Sequence, residues 1–284
     1  MTQQTLIDTR HAGPSIMHRH PMATFFALTL AVAWALWLPL VLLQDRMPAG
    51  PAFFLVLLGS LVPSTVALLL VALLHGRQEV WRLLRRLAVW RVNVGWYVAI
   101  VALSALPVGA VWVSTWFGHP APVVVATIPG VVSLWLFSIL PGSAMGEELG
   151  WRGFVLPRLQ AHRSALAASL IVGAAWGTFH LPLFLLGSPT RPLALFLPFA
   201  ISSVIMSIFY TWMYNGTGGS LLPVVLLHAT TNLPLTVVYG PLGERVVPVF
   251  WILDAILALA AAILIARNSV PTLSRHHTKQ IMRP

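Results

Sequence analysis

"MATFFALTLAVAWALWLPLVLL", residues 22–43, runs for 22 residues without one charged side chain. Wound as an α-helix it reaches about 33 Å, enough to cross a hydrocarbon core of roughly 30 Å. It is longer than the apolar core of a secretory signal peptide, and no small-x-small cleavage site follows it, so it is read as a retained anchor. Working outward, comparable apolar runs recur at 52–74, 94–117, 123–140, 165–186, 193–214, 219–239 and 249–266. The expected fold is therefore all-α: a single-domain, polytopic transmembrane helical bundle of about eight spans.

Composition agrees. Of the 284 residues, 58% are hydrophobic and 8% charged, against roughly 25% charged in soluble domains. The connectors "QDRMPAGP", "GSPTRP" and "NGTGGS" are turn chemistry and not folded domains. The formal charge is +10, but 16 of the 17 basic residues are Arg, spread over loops and ends without forming one stripe. Topology control accounts for them better than nucleic acid does. With the N-terminus inside, 14 of the 17 fall on inner segments, so both termini are expected in the cytoplasm. The absence of cysteine excludes disulfides, thiolate metal ligands and a cysteine nucleophile. In the loop 75–93, "RQEVWRLLRRLAVWR" (77–91) sets Val80, Leu83, Leu84 and Leu87 on one helical face and arginines on the rest, as an interfacial helix facing membrane lipid would.

Ionisable groups inside a bundle cost about 2.5–3.5 kcal/mol each on insertion scales, so they need partners or a function. "GEELGWRG" (146–153) holds Glu147, Glu148 and Arg152. On a helix Glu148 and Arg152 face each other, while Glu147 points about 100° away. Glu148 can thus hold Arg152 as a structural pair and leave Glu147 to project into a cavity as a base. Gly142, Gly146 and Gly150 form a ladder that admits a close neighbouring helix. In "WGTFH" (176–180), His180 lies on the side of Gly173 and Gly177 and is expected to look into the bundle. In "GSLLPVVLLHATTN" (219–232), His228 and Asn232 are four residues apart and share a face. Each cluster alone has a structural explanation: an ion pair, a capped histidine, interhelical hydrogen bonds. Together they supply a carboxylate, two imidazoles and an amide for activating water and stabilising an oxyanion.

Glu147-Glu148-x3-Arg152, then Trp176-x3-His180, then His228-x3-Asn232, in that order, resembles the CPBP family of intramembrane proteases, which includes type II CAAX prenyl endopeptidases and bacteriocin-processing or self-immunity proteins. The likeness covers about residues 120–240, with Trp176 where Phe is usual. It divides the chain into a cytoplasmic tail (1–21), N-terminal helices (22–119), a catalytic core (120–240), a last helix (241–268) and a basic cytoplasmic tail (269–284). It implies that Glu147 and His180 activate water, that His228 and Asn232 steady the oxyanion, and that Glu148, Arg152 and Trp176 support them. It implies a peptide or lipidated protein substrate and a multi-pass protein of a bacterial plasma membrane. The mechanism is of the glutamate type or metal-dependent: zinc, if it takes part, would be held by His180, His228 and Glu147, but no HExxH pair exists, and the metal-free glutamate type is preferred.

Two other functions compete. Buried acids and histidines also make the proton relays of transporters, though here they concentrate in the second half and show no inverted repeat. A catalytically inactive immunity or scaffold protein would keep the same motifs for structure. Asp254, in the last span, is expected to be a packing or hydrogen-bonding residue. One tension remains. If the fourth span ends at 140, Glu147 lies near the cytoplasmic face, whereas His180 is about 22 Å along its own helix. A Glu-bearing helix inside the membrane resolves this.

Overall fold

The computed structural model describes residues 16–43, 46–140, 142–186 and 191–273, and no β-strand occurs among them. The expected tails at 1–21 and 269–284 fall largely outside the described residues. Short α1 (Ile16–Arg19) leads into α2 (Pro21–Leu42), followed by α3 (Ala49–His75), α4 (Arg77–Arg85), α5 (Val94–Thr115) and α6 (Ile128–Ile139). Next, α7 (Ser143–Glu148) passes through a π-helical turn, Leu149–Val155, into α8 (Leu156–Gln160). Then come α9 (Ala165–Phe179), α10 (Leu181–Leu185), α11 (Phe196–Gly216), α12 (Leu222–Val237) and α13 (Val246–Arg267).

Seven segments among the described residues are long and apolar enough to cross a membrane, one fewer than expected. The shortfall is the 219–239 run. Gly218 and Gly219, at φ +67° and +84°, turn the chain, and Pro223 opens α12 only after that turn. The helix keeps 16 residues, about 24 Å, short of a full crossing.

The fourth span also needs correction. It begins at Ile128, where the Thr127 hydroxyl accepts from Gly130 N–H at 3.2 Å, and its apolar helix resumes at Ser143 and runs to Gln160. The Leu156 N–H reaches Trp151 O, five residues back, the wide spacing of the π-turn. Pro157 explains it: lacking an N–H and crowding the preceding turn, it favours a locally wider helix. The turn at 161–164 then lies midway between residues 147 and 180, so the two side chains ride equally far along neighbouring helices. The apparent 22 Å mismatch vanishes.

Lipid tails give packed helices little hydrophobic advantage, so close contact and hydrogen bonding hold the bundle. A Cβ on Gly146 would stand 2.7 Å from Ser60 O, and one on Gly150 2.6 Å from Pro63 O, so α3 presses onto the Glu-bearing helix. Ser64 Oγ donates to Met145 O at 2.7 Å across that contact. Gly142 instead meets its own chain at Phe137 and Ser138, where it makes the break between α6 and α7. Gly173 and Gly177 admit α11, at Val204 and Ala200. Amphipathic α4 buries Leu83, with Val80, Leu84 and Leu87 packed on the core as its spacing predicts. Arg86 Nη1 donates to the Tyr214 hydroxyl at 2.8 Å and so ties this basic segment to α11.

Candidate active site

All seven residues singled out from the sequence meet around one cavity or in the layer directly behind it. Glu147 is 1% exposed. Trp176 Nε1 donates to its Oε2, while its Oε1 has no hydrogen-bond partner and lies 3.8 Å from His180 Nε2. His180 caps α9, and its Nδ1 is 2.9 Å from Trp176 O. A carbonyl only accepts, so Nδ1 carries the proton and Nε2 presents its lone pair toward Glu147.

Glu148 does different work, as its position one residue on requires. Its carboxylate takes Arg152 Nη1 at 2.9 and 3.1 Å and His228 Nδ1 at 2.8 Å. Arg152 is fully buried. Its Nη2 donates to Ser207 Oγ at 3.3 Å, and its guanidinium lies 5.0 Å from the Trp176 ring centroid and 4.3 Å from that of Tyr210. A buried guanidinium between two aromatic faces and a carboxylate is satisfied by charge and by stacking together.

On α12, His228 Nε2 lies 3.5 Å from Ser143 Oγ, and Asn232 Nδ2 donates to Ser143 Oγ at 3.0 Å and to Ser138 Oγ at 3.2 Å. Trp135 Nε1 donates to Thr230 Oγ1 at 3.0 Å and fastens α6 to the same helix. The cavity these residues line has a volume of about 610 Å³. Glu147, His180, His228 and Asn232 share it with Ser143 and Arg191, and its remaining walls are mainly apolar, from Phe53 and Phe137 to Leu257.

Zinc fits this arrangement poorly. No three His, Asp or Glu side chains converge as metal donors among the described residues. The expected third ligand, His228, is turned to Glu148 and Ser143.

Four contributors were not anticipated: Ser143, Ser138, Ser207 and Tyr210. Only Ser143 carried a signal, since "PGS" (141–143) is a helix-start pattern just ahead of the acidic pair. Asp254 behaves as a hydrogen-bonding residue: Ser202 Oγ donates to its Oδ1.

Comparison with known proteins agrees with this geometry. A family model described as Rce1-like, type II CAAX prenyl endopeptidase, matches residues 129–234, which hold every residue of the constellation. "CAAX prenyl protease 2" of Methanococcus maripaludis is 24% identical over 235 residues, covering 74% of this chain and 82% of the archaeal protein. Through this core the chain is similar to the Rce1-like, type II CAAX prenyl endopeptidases.

Proposed function

We propose that the chain hydrolyses a peptide bond of a membrane-associated or lipidated substrate, using a water held between Glu147 and His180. One observation carries this: Glu147 Oε1, without a hydrogen-bond partner, and His180 Nε2 face each other at 3.8 Å on the cavity wall, and with the imidazole neutral both are acceptors. Two acceptors cannot bond each other, but a water donating one O–H to each fits between them. Glu147 then takes a proton as the water oxygen attacks the carbonyl carbon, and the carbonyl electrons move onto oxygen. The oxyanion collapses, the C–N bond breaks, and Glu147 returns its proton to the leaving amine. His228 and Asn232 line the same cavity, and we assign to them the side that faces the oxyanion. The apolar walls suit alkyl groups of a lipidated peptide.

The test is cleavage of a lipidated reporter peptide by purified protein in H₂¹⁸O. The expected product carries one ¹⁸O in its new carboxylate, and Glu147→Gln abolishes turnover in a protein that still folds. Full activity of Glu147→Gln removes the assignment. Solute flux from proteoliposomes without cleavage favours a carrier.

A further inference from the structure

An oxyanion site must present hydrogens to the reacting carbonyl, and Asn232 has none to spare. Its amide carries two N–H hydrogens. One is given to Ser138 Oγ at 3.2 Å and the other to Ser143 Oγ at 3.0 Å. His228 is similarly placed: its Nδ1–H is directed at Glu148, and its Nε2 faces Ser143 Oγ at 3.5 Å. Ser143 is thus the meeting point of both α12 residues, and it lines the cavity. As an acceptor from Asn232 its hydroxyl is polarised, which makes its own hydrogen a better donor. The contact with His228 is at the long limit for a hydrogen bond and holds that hydrogen weakly.

We propose that the Ser143 hydroxyl is the hydrogen-bond donor that meets the tetrahedral oxyanion, with Asn232 acting through it as a positioning residue. This rests on the hydrolytic function proposed above. As negative charge grows on the former carbonyl oxygen, the Ser143 O–H swings from His228 Nε2 to that oxygen. His228 stays neutral through this step, with its Nδ1–H still on Glu148. No covalent bond to Ser143 forms. The hydroxyl remains intact through the cycle.

The experiment measures kcat, KM and the affinity of a peptide phosphonate, a tetrahedral anion, for wild type, Ser143→Ala, Ser143→Thr and Asn232→Asp. Removal of one oxyanion donor costs about 10²–10³ in kcat. Ser143→Ala is expected to lose about 100-fold in kcat and a comparable factor in phosphonate affinity, with KM within about threefold of wild type. Ser143→Thr keeps the hydroxyl and restores most of both. Asn232→Asp replaces a donor by an acceptor that draws the Ser143 hydrogen toward itself, so it falls as far as Ser143→Ala. Thermal unfolding of each variant identifies any that fails to fold. Ser143→Ala with kcat within threefold of wild type overturns the proposal while leaving the hydrolase in place. Labelling of Ser143 by a fluorophosphonate with burst kinetics overturns it in favour of an acyl-enzyme. Lack of any hydrolysis by wild type overturns the function itself.

Discussion

His228 Nδ1 lies 2.8 Å from Glu148 Oε1, and that same oxygen takes Arg152 Nη1 at 2.9 Å. One carboxylate thus fixes an imidazole tautomer on α12 and neutralises a guanidinium on its own helix. Glu148→Gln offers a single acceptor oxygen to two donors and turns its NH₂ toward one of them. The His228 ring then loses its orienting partner, a defect that costs up to about 10⁴ in rate in serine-protease triads. The expected outcome is a loss of at least about 100-fold in kcat with the helical content unchanged, checked by reporter-peptide rates and circular dichroism.

Arg152 is expected to matter for the fold more than for the chemistry. It is fully buried between Trp176 and Tyr210. Arg152→Ala leaves the Glu148 carboxylate buried without its cation, and breaking such a pair costs about 3–5 kcal/mol. Arg152→Lys keeps the charge but forfeits the Nη2 bond to Ser207 and the stacking, so it should fall between. Thermal unfolding in detergent ranks the three proteins, and a melting temperature for Arg152→Ala equal to wild type contradicts the structural role.

Gly150→Ala tests the helix contact that carries the acidic pair. The added Cβ would sit 2.6 Å from Pro63 O and 2.9 Å from Pro63 Cβ, against a rigid ring and backbone that cannot rotate away. Helix α3 must retreat, taking Ser64 and its bond to Met145 O with it. Both stability and kcat should fall, the latter because misplacement by about 1 Å costs on the order of 100-fold. Gly109→Ala, where a Cβ meets nothing, is the control and should be silent.

These contacts show what the sequence could and could not disclose. The Glu148–Arg152 pair follows from four-residue spacing and survives the π-turn. Gly146, Gly150, Gly173 and Gly177 mark where helices close up, because a missing Cβ is visible in sequence, whereas Gly142 meets its own chain at Phe137 and Ser138. The length of the Glu-bearing helix was hidden by Leu140-Pro141-Gly142, which reads as a terminator although the chain resumes helix at Ser143. The hydroxyls of Ser138, Ser143, Ser207 and Tyr210 were hidden for another reason. Membrane-helix serines commonly bond a carbonyl in the preceding turn, as Ser169 does to Ala165 O at 2.7 Å. Spacing alone cannot single out those turned toward a site.

Chelators provide the last test, and donor geometry sets its expected outcome. A catalytic zinc takes three protein ligands at about 2.0–2.2 Å in tetrahedral array, with water in the fourth place. Glu147 Oε1 and His180 Nε2, 3.8 Å apart, are more widely spread than the roughly 3.4 Å such arms subtend. The third donor is turned away: His228 Nε2 faces Ser143 Oγ at 3.5 Å, and no three His, Asp or Glu side chains converge as metal donors among the described residues. A water can bridge the Glu147–His180 gap, because hydrogen-bond arms of about 2.8 Å bend more readily than metal–ligand bonds. Cleavage of the reporter peptide should therefore persist after dialysis against EDTA and 1,10-phenanthroline, and added Zn²⁺ should not stimulate it. Activity that disappears with the chelator and returns with zinc would mean that His228 Nε2 turns from Ser143 to the metal while Nδ1 stays on Glu148, and the roles of Ser143 and Glu147 would have to be redrawn.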